Sequence, residues 1–186
     1  MKTQPMLASA LTAIGLAVSP VCAATSDRTQ GFWSGGELLL KTSLYTRHYS
    51  DDPRHYNHQR MINLEWIADD DYGPAWTDRA FAHSPRTRWL VGAAAFRNSF
   101  GQQSTMLYGG FRRELTSAGH GSTYVKLTGG LLHGYRGEFR DKIPFNQLGV
   151  APVVLPAIGV DYRRMSLELI PFGTAGLMIS IGLYPL

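Results

Sequence analysis

The sequence predicts an all-β protein, an eight-stranded antiparallel β-barrel of the outer-membrane kind, on three observations. Several segments alternate apolar and polar residues with a period of two, the spacing of a strand whose two faces meet different surroundings. The chain holds 20 Gly, 9 Tyr, 8 Phe and 4 Trp among 186 residues, a composition typical of exported barrels with aromatic residues at the membrane interfaces. The connections between the segments tend to alternate long and short, as the two ends of such barrels do. Closure also removes the open edge that lipid would leave unpaired, so this reading is preferred to a soluble lipocalin-like barrel.

Residues 1–23 read as a cleaved signal peptide: Lys2, an uncharged run from Met6 to Val21, then the small residues Ala23 and Ala24. The run is too short to span a membrane as a helix. Its removal leaves about 160 residues, a one-domain length, and takes away Cys22, the single cysteine. No disulfide or thiol chemistry is expected of the mature chain. The net charge of +4 is scattered, and on an exported protein it suits anionic lipid head groups better than nucleic acid.

Residues 24–36 are polar around Phe32-Trp33, with room for at most a short interfacial helix, and the barrel is expected over 37–186. Glu37 to His48 is the first strand and Gln59 to Ala68 the second, where Met61, Asn63 and Glu65 face one way and Ile62, Leu64 and Trp66 the other. Residues 49–58 and 69–88 are polar connections. Trp89 to Ala95 and Thr105 to about Leu115 make a hairpin around the polar stretch Phe96 to Ser104, which holds Arg97-Asn98-Ser99 and Gly101, residue types that suit a tight turn. Ser122 to His133 is the fifth strand, and Gly134 to Gly149 a long polar loop. Val150 to Val160 contains Pro152 and Pro156, which cannot donate to a ladder and mark an interrupted edge. Met165 to Pro171 and Thr174 to Tyr184 form the last pair, with Leu177, Ile179, Ile181 and Leu183 on one face.

If the first strand starts on the periplasmic side, His48 and the Asn98-Ser99 tip share the extracellular rim. A histidine beside a serine hydroxyl suits acyl transfer, with Asn98 or Arg97 orienting groups or stabilising charge. A His48, His55 and His58 zinc site and a calcium site at Asp69-Asp70-Asp71 are set aside as the weaker readings. No metal or cofactor is expected. Arg112-Arg113 and Arg163-Arg164 are lipid-phosphate contacts or plain surface anchors.

Ala94-Ala95-Phe96-Arg97-Asn98-Ser99-Phe100 resembles the Ala-Phe-Lys-Asp-Ser-Trp segment of the outer-membrane lipid A palmitoyltransferases, the PagP family. Ala151-Pro152-Val153-Val154-Leu155-Pro156 with Gly159-Val160-Asp161-Tyr162, Leu169-Ile170-Pro171-Phe172-Gly173, and Tyr56-Asn57 are similar to further segments of that family, in order along the chain. The resemblance implies a monomeric barrel that moves a palmitoyl chain from a phospholipid donor to a lipid A acceptor within the outer-membrane bilayer. It puts catalysis on His48 and Ser99, with Asn98 where the family has an acid. It puts Gly110 at the floor of the acyl pocket, Pro152 and Pro171 at lateral lipid-access gaps, and Arg97 at the substrate. The chain departs from the family at Asn98, in having little room for an N-terminal amphipathic helix, and at its C-terminal Leu186. The alternatives are a lipid A deacylase or other outer-membrane lipid hydrolase using the same pair with water, and a non-catalytic structural barrel.

Overall fold

The computed structural model describes residues 32–50, 54–55, 60–69 and 87–185. The signal peptide, Tyr56-Asn57, His58, Asp70, Asp71 and Leu186 lie outside the described residues. Eight antiparallel strands close into one barrel in sequence order. They are β1 (Glu37–His48), β2 (Met61–Ile67), β3 (Thr87–Arg97), β4 (Gln103–Ala118), β5 (Gly121–His133), β6 (Val150–Tyr162), β7 (Met165–Pro171) and β8 (Gly176–Leu183). One expectation changes in detail: the loop after β5 contains a 3-10 helix, Gly137–Lys142. Of the 24–36 segment, residues 24–31 lie outside the described residues, and Phe32-Trp33 forms a turn. That turn docks outside the barrel: the Trp66 indole N–H donates to Phe32 O at 3.0 Å, and Trp33 packs on Trp66 at 5.9 Å.

Alternation decides which residues face in. Leu40, Leu44, Ile62, Leu64, Leu107, Leu131, Val154, Ile158 and Leu167 are all large, apolar and exposed, and they form a belt around the outer face. Such a belt is compatible with an outer-membrane barrel. Trp89 and Phe111, paired across β3 and β4 at 5.9 Å, stand with Trp33 and Trp66 near the end where β1 begins, called here the lower end.

The interior is built in tiers. At the upper end Met61, Ala94, Met106 and Leu132 line an apolar space. Below it Lys41, Glu65, Lys126 and Glu168 are buried together. Lower still, Leu39, Ile67 and Leu90 pack beside a buried Arg112. Arg112 pairs with Asp161, receives Tyr124 beneath its guanidinium at 3.8 Å and donates to the Tyr184 hydroxyl at 2.8 Å. It is therefore an interior plug residue and not the surface contact its sequence context suggests.

Two seams stop short. The β6–β7 ladder runs from Tyr162↔Met165 only to Ile158↔Leu169, although β6 continues upward to Val150 and β7 to Pro171. The next alternate register position would set Pro156 against Pro171, two residues with no N–H to donate. Among the described residues the β1–β2 ladder likewise runs only to Lys41↔Asn63, while the β1–β8 ladder continues up to His48↔Gly176.

Candidate active site

The upper tier encloses a cavity of about 570 Å³, within the range of ligand pockets. Its mouth carries His48, Ser99, His55 and Tyr135. Its walls are Met, Leu, Ile, Val and Ala, and its floor is Tyr108 with Asn63, Glu65, Lys41 and Lys126. Val154 borders the cavity and is also 67% exposed on the outer face. It stands on β6 beside the stretch where the β6–β7 ladder stops.

His48 ends β1, and Tyr49 N–H donates to Ala175 O at 3.1 Å, tying that end to the β7–β8 turn. Ser99 sits in the β3–β4 turn, and its hydroxyl lies 2.6 Å from His48 Nε2. This is the reach a base needs to take a serine proton. The turn is shaped by Asn98, which is fully buried. Its Oδ1 accepts from the N–H groups of Phe100 and Gln102, both at 3.0 Å, while its Nδ2 donates to Gln102 Oε1 at 3.5 Å and Gly134 O at 3.4 Å. This is an Asx turn, closed by Gly101 at φ 76°.

Around the pair stands a ladder of rings. His55 packs on His48 at 4.4 Å and on Phe100 at 5.4 Å, and Phe139 of the 3-10 helix stacks on Phe100 at 4.2 Å. Tyr135 approaches the side chain and backbone of Ser99; burial pushes its phenol pKa up, and those contacts pull it partly back. It therefore stays a protonated donor through neutral pH. Asn146 braces this region, donating through Nδ2 to Tyr135 O at 3.0 Å and Arg140 O at 2.9 Å.

The floor is a closed ionic cluster. Lys41 Nζ is 2.8 Å from Glu65 Oε2 and 3.0 Å from Glu168 Oε2, and Lys126 contacts Glu168 and, at 3.2 Å, Glu65. The Tyr108 hydroxyl lies 2.8 Å from Asn63 Oδ1 and 2.8 Å from Glu65 Oε2, with one proton to share between these two acceptors. Two cations meet two anions, so no net charge faces the apolar space above.

Of the residues singled out in the sequence, His48 and Ser99 come together. Asn98 shapes the turn: all its hydrogen bonds run within the turn and to Gly134. Gly110 does not line the cavity. Tyr108, two residues nearer the mouth on the same face of β4, closes the floor, and a Cβ at Gly110 would stand 2.2 Å from Leu127 O in the β5 backbone. Arg97 falls on the outward parity of β3 and is exposed, outside the cavity. Pro171 ends β7 at the open seam, but its counterpart is Pro156; Pro152 stands higher on β6, paired toward β5 with Leu131. Among the described residues no group of three or more His, Cys, Asp or Glu could hold a metal ion.

Sequence reasoning weighed His55 only as a zinc ligand and missed Tyr135 and the ionic floor. A signal for the floor was present: Glu65 shares the face of Met61 and Asn63, opposite Leu64, and Lys41 alternates with Leu40. A charge on the inward parity of a barrel strand needs a partner inside. No protein-family model matches the chain, and no curated protein matches it.

Proposed function

We propose that this chain is an outer-membrane enzyme that transfers a long acyl chain, palmitoyl in the reading the sequence supports, from a phospholipid to lipid A. The observation that carries the proposal is the 2.6 Å contact between His48 Nε2 and the Ser99 hydroxyl at the mouth of an apolar interior cavity. An ester carbonyl held beside Ser99 would have its acyl chain directed into that cavity. His48 takes the serine proton as Ser99 Oγ bonds to the carbonyl carbon, and returns it to the departing lyso-phospholipid oxygen. A lipid A hydroxyl then attacks the acyl carbon, its proton passes to His48, and Ser99 recovers it as the new ester forms. The tapering seam beside Val154 is the route by which an acyl chain reaches the cavity from the bilayer. The sequence resemblance to the lipid A palmitoyltransferases, in order from His48 to the last strand, supports the same reading.

Mass spectrometry of lipid A from cells with and without the protein tests this. An added acyl mass that disappears with Ser99→Ala supports transfer. A lost acyl chain points to hydrolysis by the same pair, and an unchanged spectrum rejects an enzymatic role in lipid A acylation.

A further inference from the structure

We infer that His55 is a positioning residue for His48, its ring clamping the His48 imidazole to the turn that carries Ser99. The inference rests on the acyl-transfer reading of His48 and Ser99 and adds a residue to it. His55 stands between the two segments whose placement sets the His48–Ser99 contact. One side of its ring meets His48 at 4.4 Å and 38°, and another meets Phe100, the residue after Ser99, at 5.4 Å.

His55 is itself held. Its Nδ1 lies 3.1 Å from Ser50 O. A carbonyl oxygen only accepts, so Nδ1 carries a proton and donates it. That bond ties the ring to the chain just beyond His48. Phe100 is fixed in turn by Phe139, stacked at 4.2 Å and 12°, and by Tyr135 at 6.2 Å. Phe172 approaches His48 from the β7–β8 turn at 6.2 Å. A base held in one orientation before the reaction loses little freedom at the transition state. Asn98 occupies the place of the family's acid, yet its carboxamide is committed to the turn. The His55 ring supplies orientation from a different side.

The test compares His55→Ala with His55→Phe in the full-length protein, folded in detergent with phospholipid and lipid A. The packing of one aromatic pair corresponds to roughly three- to tenfold in rate. His55→Ala is expected to lower kcat by about that factor with KM for both lipids unchanged, and His55→Phe to restore it. An unchanged kcat in His55→Ala overturns the inference, and so does a His55→Phe protein as slow as His55→Ala. A second readout needs no turnover: the imidazole NMR signals of His48 should shift and broaden in His55→Ala and return in His55→Phe. Unmoved His48 signals overturn the clamp whether or not the protein transfers lipid. Signals that respond as expected in a protein with no transfer activity keep the clamp and reject the proposed function.

Discussion

The upper and lower halves of the barrel interior follow opposite rules. The upper half is apolar and hollow, and the β6–β7 ladder stops short within it. In the lower half every strand pairs with both neighbours, and the core is filled by the Lys41, Glu65, Lys126 and Glu168 cluster and the Arg112 plug. A cavity and an open seam both remove contacts that would hold strands together. The difference teaches that stability and access are divided along the barrel axis: the lower half carries the closure, which frees the upper half to stay open around His48 and Ser99.

The strongest way to break that division is to attack the floor. Glu168→Ala removes a partner from both Lys41 and Lys126 and should destabilise the barrel by about 3–5 kcal/mol, the usual result of orphaning a buried charge. Met106→Ala, which only widens a space already present, should cost no more than about 2 kcal/mol, the low end for such deletions. Urea unfolding in detergent measures both, and equal losses would erase the contrast between the halves.

Gly110→Met sharpens it from the wall. The sequence resemblance makes Gly110 a chain-length ruler, for which a larger side chain would shorten the product acyl chain. In the structure the new Cβ would meet Leu127 O and Thr128 Cα of β5. The expected outcome is a barrel weaker by about 1–3 kcal/mol, the range for forced overpacking, with product chain length unchanged. A clean shift to shorter acyl products at full stability would return Gly110 to the floor.

Asn98→Asp separates the turn from the base. An aspartate keeps both acceptor contacts to Phe100 and Gln102 but loses the donors to Gly134 O and Gln102 Oε1. Stability should fall by roughly 1–2 kcal/mol, within the range for a buried group left unsatisfied, and transfer should slow as the Ser99 turn loosens. Faster transfer at undiminished stability would mean that this residue acts on His48 after all.

What the sequence disclosed follows the same axis. Alternation alone carries the strands, because inward and outward faces of a barrel differ sharply in polarity; β1 and β7 keep the bounds read from the chain. The His48–Ser99 pair was legible in two steps: alternating connections put both residues at one rim, and the family resemblance singled them out there. His55 entered only as a zinc-ligand candidate, since its packing on His48 and Phe100 is a tertiary contact that local sequence does not encode. Tyr108 was overlooked for a related reason: glycine in a strand signals space, but Gly92 makes room for the Tyr108 ring and Gly130 for the start of its side chain, so the residue that fills the space sits between the ones that mark it.

The smallest expected effect concerns the open seam. Ile158↔Leu169 is the last β6–β7 pair, and continuing the same register would bring Pro156 opposite Pro171. Replacing both with alanine restores two N–H donors where the ladder now stops. If the strands then zip, the barrel should gain about 0.5–1.5 kcal/mol for each bond formed, and the opening beside Val154 should narrow. Transfer should slow severalfold while the His48–Ser99 contact, which involves neither proline, stays intact. Pro152→Ala, on the part of β6 already paired with Leu131, should change neither quantity. Unchanged transfer in a measurably stabilised double variant would show that acyl chains reach the cavity by another route than this seam.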